Sequence, residues 1–77
     1  MTADELETLI RRAFGDAEIA ISDLAGDGDH FKAVIRSDAF LGKSRVVQHQ
    51  MVYAALEGRM GVELHALALE TGPKRAP

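Results

Sequence analysis

Two hydrophobic periods alternate along the chain. Leu6, Leu9, Ile10 and Ala13 fall at i, i+3, i+4 and i+7, the spacing of one helix face. Thr2 and Glu5 ahead of them form a capping-box pattern. Glu7 and Arg11 can pair across one turn of the outer face, and Gly15 is expected to stop the helix. The period then falls to two. Ile19 and Ile21 alternate with Glu18, Ala20 and Ser22; Phe31, Ala33 and Ile35 alternate with Lys32, Val34 and Arg36. The Gly/Asp cluster "LAGDGD" between them predicts a β-hairpin. Helical spacing returns in "RVVQHQMVYAALEG", with Ser44 as N-cap. Here Val47, Met51, Ala54 and Ala55 form the expected apolar band, widened by Val52 and Leu56. His49 stands at its border and Gln48 interrupts it. "VELHALALET" is a third strand with His65, Leu67 and Leu69 on one face.

The predicted order is therefore α-β-β-α-β, an α+β fold. A right-handed crossover through the second helix makes the second and third strands parallel. Two amphipathic helices on one face of a three-stranded mixed sheet give a two-layer domain. We expect that single domain over residues 1–71 and a flexible C-terminal tail over 72–77.

At 77 residues the chain has room for one small core, burying roughly 60–65% of its unfolded surface. Any chemistry has to sit at the surface or be shared with a partner. Cysteine is absent, which excludes a disulfide framework and any thiolate metal site made by this chain alone. No apolar run approaches the ~20 residues of a membrane-spanning helix. The acidic start "MTADELE" is unlike a signal peptide. These features lead us to expect a cytoplasmic protein with no membrane association. Net charge is −3, unevenly spread: residues 1–38 hold nine acids and four bases, residues 39–77 three acids and five bases. That is less basic than a typical nucleic-acid domain.

The candidate polar groups are Asp27, Asp29, His30, His49 and His65. No nucleophile–base–orienter set accompanies them, so an enzyme is not expected. "GDGDHF" is not an EF-hand loop, since Phe31 falls on the third ligand position and no Glu occupies the twelfth. It is acidic and leads into a strand, so it is no phosphate cradle either. Gly58-Arg59-Met60-Gly61 matches a GxxG pattern, but between a helix and a strand it reads as a C-cap and turn. His30 follows the hairpin tip and His65 starts the last strand, so both are expected near the starts of adjacent parallel strands. Two imidazoles beside an aspartate-rich loop make an open metal half-site. A hydrogen-bonded structural role for His65 and a solvated one for His30 are the alternatives.

The stretch "GDGDHFKAVIRSDAFLGKSRVVQHQMVYAAL" followed by "HALALET" resembles the BolA-like family, with the match running from about Asp4 to Thr71. The resemblance implies the fold derived above, similar to a type II KH domain. It also implies a partner role, in which a monothiol glutaredoxin of the CGFS type shares a bridged [2Fe–2S] cluster with this chain. The glutaredoxin cysteine and glutathione then supply thiolates. The family histidine falls on His65, and the second ligand comes from the loop between the first two strands. The loop cysteine of several members falls on Asp27, while His30 lies three residues later. Imidazole suits iron better than carboxylate does, which favours His30; the motif register favours Asp27. His49 matches another recurrent histidine and reads as structural.

Thiolates on one iron and imidazoles on the other amount to Rieske-like ligation, which raises the reduction potential. Imidazoles also compete with protons, so such a cluster is released more easily at low pH. The function expected is a non-enzymatic adaptor in iron–sulfur trafficking or iron sensing. Alone, the chain is expected to bind no cluster and to be a monomer or weak homodimer. The rival is a small DNA-binding transcriptional regulator using Lys43, Arg45 and Arg59 near the second helix. Three bases release few counterions, so its DNA affinity is expected to be weak.

Overall fold

The computed structural model describes residues 1–26, 30–58 and 66–74. The elements run α1 (Ala3–Ala13), β1 (Glu18–Asp23), β2 (His30–Arg36), a 3-10 turn (Asp38–Phe40), α2 (Arg45–Ala55) and β3 (Ala66–Gly72). The sheet order is β1-β2-β3. β1 pairs antiparallel with β2, Glu18 opposite Arg36 and Asp23 opposite Phe31. β2 pairs parallel with β3, from His30 opposite Ala66 to Arg36 opposite Gly72. This is the predicted α-β-β-α-β order with its mixed sheet. β3 runs through Gly72, one residue past the expected domain limit, and Ser37 N–H donates to the Gly72 carbonyl at 2.9 Å.

Local chemistry accounts for the element ends. Thr2 Oγ1 accepts from Glu5 N–H at 3.1 Å, and Glu5 Oε1 accepts from Thr2 N–H at 3.3 Å. Two otherwise orphaned donors at the start of α1 are thereby satisfied. Glu7 and Arg11 lie 3.6 Å apart, as their spacing predicts. Ser44 Oγ accepts from Val47 N–H at 3.2 Å and caps α2. The hairpin turns at Gly26, whose φ of 70° lies where glycine carries no Cβ penalty. α2 ends before the glycine expected to stop it, because Glu57 is already left-handed at φ 56°.

One core lies between the helices and a single face of the sheet. Leu6, Leu9 and Ile10 of α1, Phe31, Ala33 and Ile35 of β2, Val52 and Leu56 from α2 and its C-cap, and Leu67 of β3 are all buried. Phe14 and Phe40 meet at 5.1 Å between ring centroids in a tilted pair, an arrangement aromatic quadrupoles favour. Truncating a side chain as enclosed as Phe31, 1% exposed, costs about 3–5 kcal/mol.

α2 is rotated from the expected band. Its buried residues are Gln48 and Val52, with Leu56 following; of the expected band Met51 and Ala55 pack partly buried against the core, while Val47 is 38% exposed and Ala54 is at the surface. The reason is that Gln48 has partners. Its Nε2 donates to the Lys43 carbonyl at 2.9 Å and lies 3.5 Å from that of Phe40. Its Oε1 accepts from Thr71 Oγ1 at 2.6 Å. An amide so bonded can be buried at little cost, so the residue that breaks the apolar pattern sits at its centre. Ser37 is likewise more than a turn residue. It is fully buried, donates from Oγ to Asp16 Oδ1 at 2.6 Å and accepts from Ala39 N–H at 3.1 Å.

Candidate functional site

The described candidate residues divide between the start of β2 and a groove beside α2. β2 begins at His30, which is exposed and pairs with Ala66, the first residue of β3. The carbonyl of His30 accepts from Leu24 N–H at 2.8 Å, which closes the hairpin stem. Asp23 Oδ1 accepts from Gly26 N–H at 2.9 Å, so the first aspartate of the turn is spent on holding the backbone. Leu24 beside it is 63% exposed. Asp27 and His65 lie outside the described residues. His65 is, in sequence, the residue immediately before Ala66. Among the described residues, no group of three His, Cys, Asp or Glu side chains is placed to hold a metal ion.

The groove beside α2, of about 500 Å³, is lined by Arg36, Arg45, His49, Leu69, Glu70 and Thr71. At ~3.3 Å per residue along β2, the Arg36 end of this groove lies roughly 20 Å from His30 and its Leu69 end, opposite Ala33, roughly 10 Å. His49 lines this groove, which His30 does not. His49 is half-buried there. Of the basic candidates, Arg45 lines the groove, Lys43 is exposed on the preceding turn, and Arg59 lies outside the described residues.

Sequence reasoning missed the other half of this groove. Arg36 and Glu70 meet at 3.6 Å across the outer sheet face, and the Arg36 guanidinium lies over Gly72, where a Cβ would press on Nη1. The i, i+4 spacing of Arg45 and His49 was the available signal, since it puts both on one helix face. Nothing local pointed to Arg36, which reaches them only through the register of β2 on β3. Between α1 and the 3-10 turn, Asp16 accepts from Ser37 Oγ and, at 3.0 Å, from Asp38 N–H. The Ser37 hydroxyl first, then the Asp38 amide, hold its carboxyl below the usual aspartate range.

A family model described as "BolA-like protein" matches residues 12–75. The chain is 33% identical over 78 residues to the DNA-binding transcriptional regulator BolA of Escherichia coli K12, covering 92% of this chain and 74% of the relative. Among solved structures it resembles a bolA protein homologue from Coxiella burnetii, with a TM-score of 0.80 and 29% identity over 96% of this chain and 92% of that one. It also resembles the BolA domain of SufE1 from Arabidopsis thaliana, with a TM-score of 0.82 and 26% identity over 92% and 90% of the two chains.

Proposed function

This chain belongs to the BolA-like family, and on that premise we propose that it is a cytoplasmic, non-enzymatic adaptor that pairs with a monothiol CGFS glutaredoxin to share a [2Fe–2S] cluster. The observation that carries the reading is the β2–β3 register. His30 opens β2 opposite Ala66, and His65 is the next residue back in sequence. A cysteine-free chain offers imidazole and carboxylate donors only, so the thiolates for the other iron come from the partner and glutathione. Imidazole is a suitable iron donor. His65 is the first ligand in this reading, with His30 second and Asp27 its competitor. The exposed Leu24 beside the His30 carbonyl supplies apolar surface for the partner. When bound, the cluster supplies redox chemistry and a transferable iron–sulfur unit. The chain's own part is to hold one side of it and to confine it to the heterocomplex.

The test is co-expression with a CGFS glutaredoxin and visible circular dichroism of the purified complex. His65→Ala should abolish the cluster spectrum and His30→Ala weaken or shift it. Asp27→Ala should do less, and His49→Ala should act on the thermal melt alone. A wild-type spectrum in His65→Ala sinks the assignment. Loss in Asp27→Ala with retention in His30→Ala moves the second ligand to Asp27.

A second reading, a DNA-binding regulator, is favoured by one observation: Arg36, Arg45 and His49 line one groove, in a relative of a protein named as a DNA-binding regulator. The net charge of −3 opposes strong autonomous binding. The adaptor reading therefore comes first.

A further inference from the structure

β3 is an outer strand of the sheet, and among the described residues no strand pairs with its other edge. In an extended strand the N–H and C=O of one residue point to the same side, and those of the next residue to the other. The Gly72 carbonyl accepts from Ser37 N–H, so Gly72 faces the β2 side. By alternation Ala66, Ala68 and Glu70 face β2 as well, which leaves Leu67, Leu69 and Thr71 presenting N–H and C=O to that other edge. Among the described residues, none of these three makes a backbone hydrogen bond outside the strand ladder.

Edges of this kind are normally blunted by a lysine, a proline or a bulge. In β3 the one charged residue is Glu70, held by Arg36 across the outer face, and Pro73 comes only after the strand ends. Instead of a block, the groove opens beside Leu69 and Thr71, with Arg45 and His49 of α2 on its far wall. Arg45 has no carboxylate partner among the described residues.

We propose that this edge is a docking site for an extended, acidic segment of a partner protein, which adds to β3 as a fourth strand with its carboxylates against Arg45 and His49. The repeat of the open groups selects the class of partner. Donors and acceptors alternate along the edge with a spacing of about 6.6 Å, two residues of strand rise. An extended polypeptide matches both kinds. A nucleic-acid backbone supplies acceptors for the N–H groups and leaves the carbonyls unpaired. Two-fold pairing of β3 with β3 brings a second Arg45 to the seam and no carboxylate beyond Glu70, which Arg36 already holds. The charged groove lies toward the Arg36 end of the sheet, while the edge itself runs back to Leu67, opposite Phe31.

The experiment is amide-resolved NMR and hydrogen exchange on the full chain, without glutaredoxin. The probe is a blocked ten-residue peptide alternating Glu and Val. Binding should shift the Leu67, Leu69 and Thr71 amides and slow their exchange at least tenfold, while Ala68 and Glu70 stay as they were. Alternate N-methylation of the peptide should abolish the effect, and a Lys/Val peptide should not produce it. Arg45→Glu should weaken binding at least tenfold while the remaining spectrum reports an intact fold; a glutamate in the first helical turn does not harm the helix. No protection at millimolar peptide overturns the proposal, as does equal binding of the N-methylated or Lys/Val peptide. Protection of the three amides by duplex DNA and not by peptide assigns the edge to nucleic acid. Protection that appears on concentrating the chain alone, with a dimer mass, assigns it to a second copy.

Discussion

The bond between Gln48 and Thr71 pins α2 to the end of β3, and its contribution can be worked out from the contacts. Gln48→Leu keeps the side-chain volume nearly constant and removes the amide. Two well-formed hydrogen bonds are lost, to the Lys43 carbonyl at 2.9 Å and from Thr71 Oγ1 at 2.6 Å. The approach to the Phe40 carbonyl, at 3.5 Å, stands at the limit of bonding distance and is counted as nothing. At about 1 kcal/mol per neutral bond the loss is about 2 kcal/mol, and better apolar burial of leucine at this enclosed position returns up to about 1 kcal/mol. The net destabilisation is about 1–2 kcal/mol, or about 4–16 °C in melting temperature for a domain of this size. Thr71→Val removes the hydroxyl partner. The double variant should therefore be less destabilised than the two singles added together, by about 1 kcal/mol. Urea melts of the wild type, both singles and the double measure that coupling. A coupling below about 0.3 kcal/mol, within ordinary additivity, or a Gln48→Leu variant more stable than wild type, would refute the account of how a glutamine comes to occupy the centre of this helix face.

Three further predictions follow the same logic. The chain purified alone, with neither glutaredoxin nor glutathione, should be colourless, because it lacks thiolates; a stable visible chromophore on it contradicts the shared-ligand reading. Mobility shifts at physiological salt should show only weak, steeply salt-dependent DNA binding with little sequence preference, and nanomolar binding with a hundred-fold preference for one sequence would make the regulator reading the first one. The Asp16 carboxyl is held below its ordinary range by Ser37 and the Asp38 amide. Its contribution should therefore be present in full above the ordinary aspartate pKa and be lost as pH falls through the lower folded value. Urea melts of wild type and Asp16→Asn should differ at pH 6 and converge near pH 2; a difference that persists unchanged in acid contradicts the assignment.

The element order, the Thr2–Glu5 box, the Ser44 cap and the alternation of β1 and β2 were legible in the sequence because each depends on residues two to four positions apart. The parallel pairing of β2 with β3 was also legible, since a strand–helix–strand connection leaves little other choice. His30 could be placed at the sheet end for the same reason, as the first residue after the hairpin turn. The rotation of α2 was not legible. Periodicity counts Gln48 as a polar interruption, and only the arrival of Thr71, 23 positions away, turns it into a satisfied interior residue. Ser37 was hidden in the same way, because its partner Asp16 is 21 positions back. The groove joins Arg45 and His49 of one helix to Arg36 and Glu70 of two strands, and β3 lies at the end of the strand order among the described residues. Short-range pattern thus settled which elements form and roughly where their ends lie. Which polar groups meet, which are buried and which backbone groups stay unpaired depend on contacts between segments far apart in the chain, and only the packed structure brings those segments together.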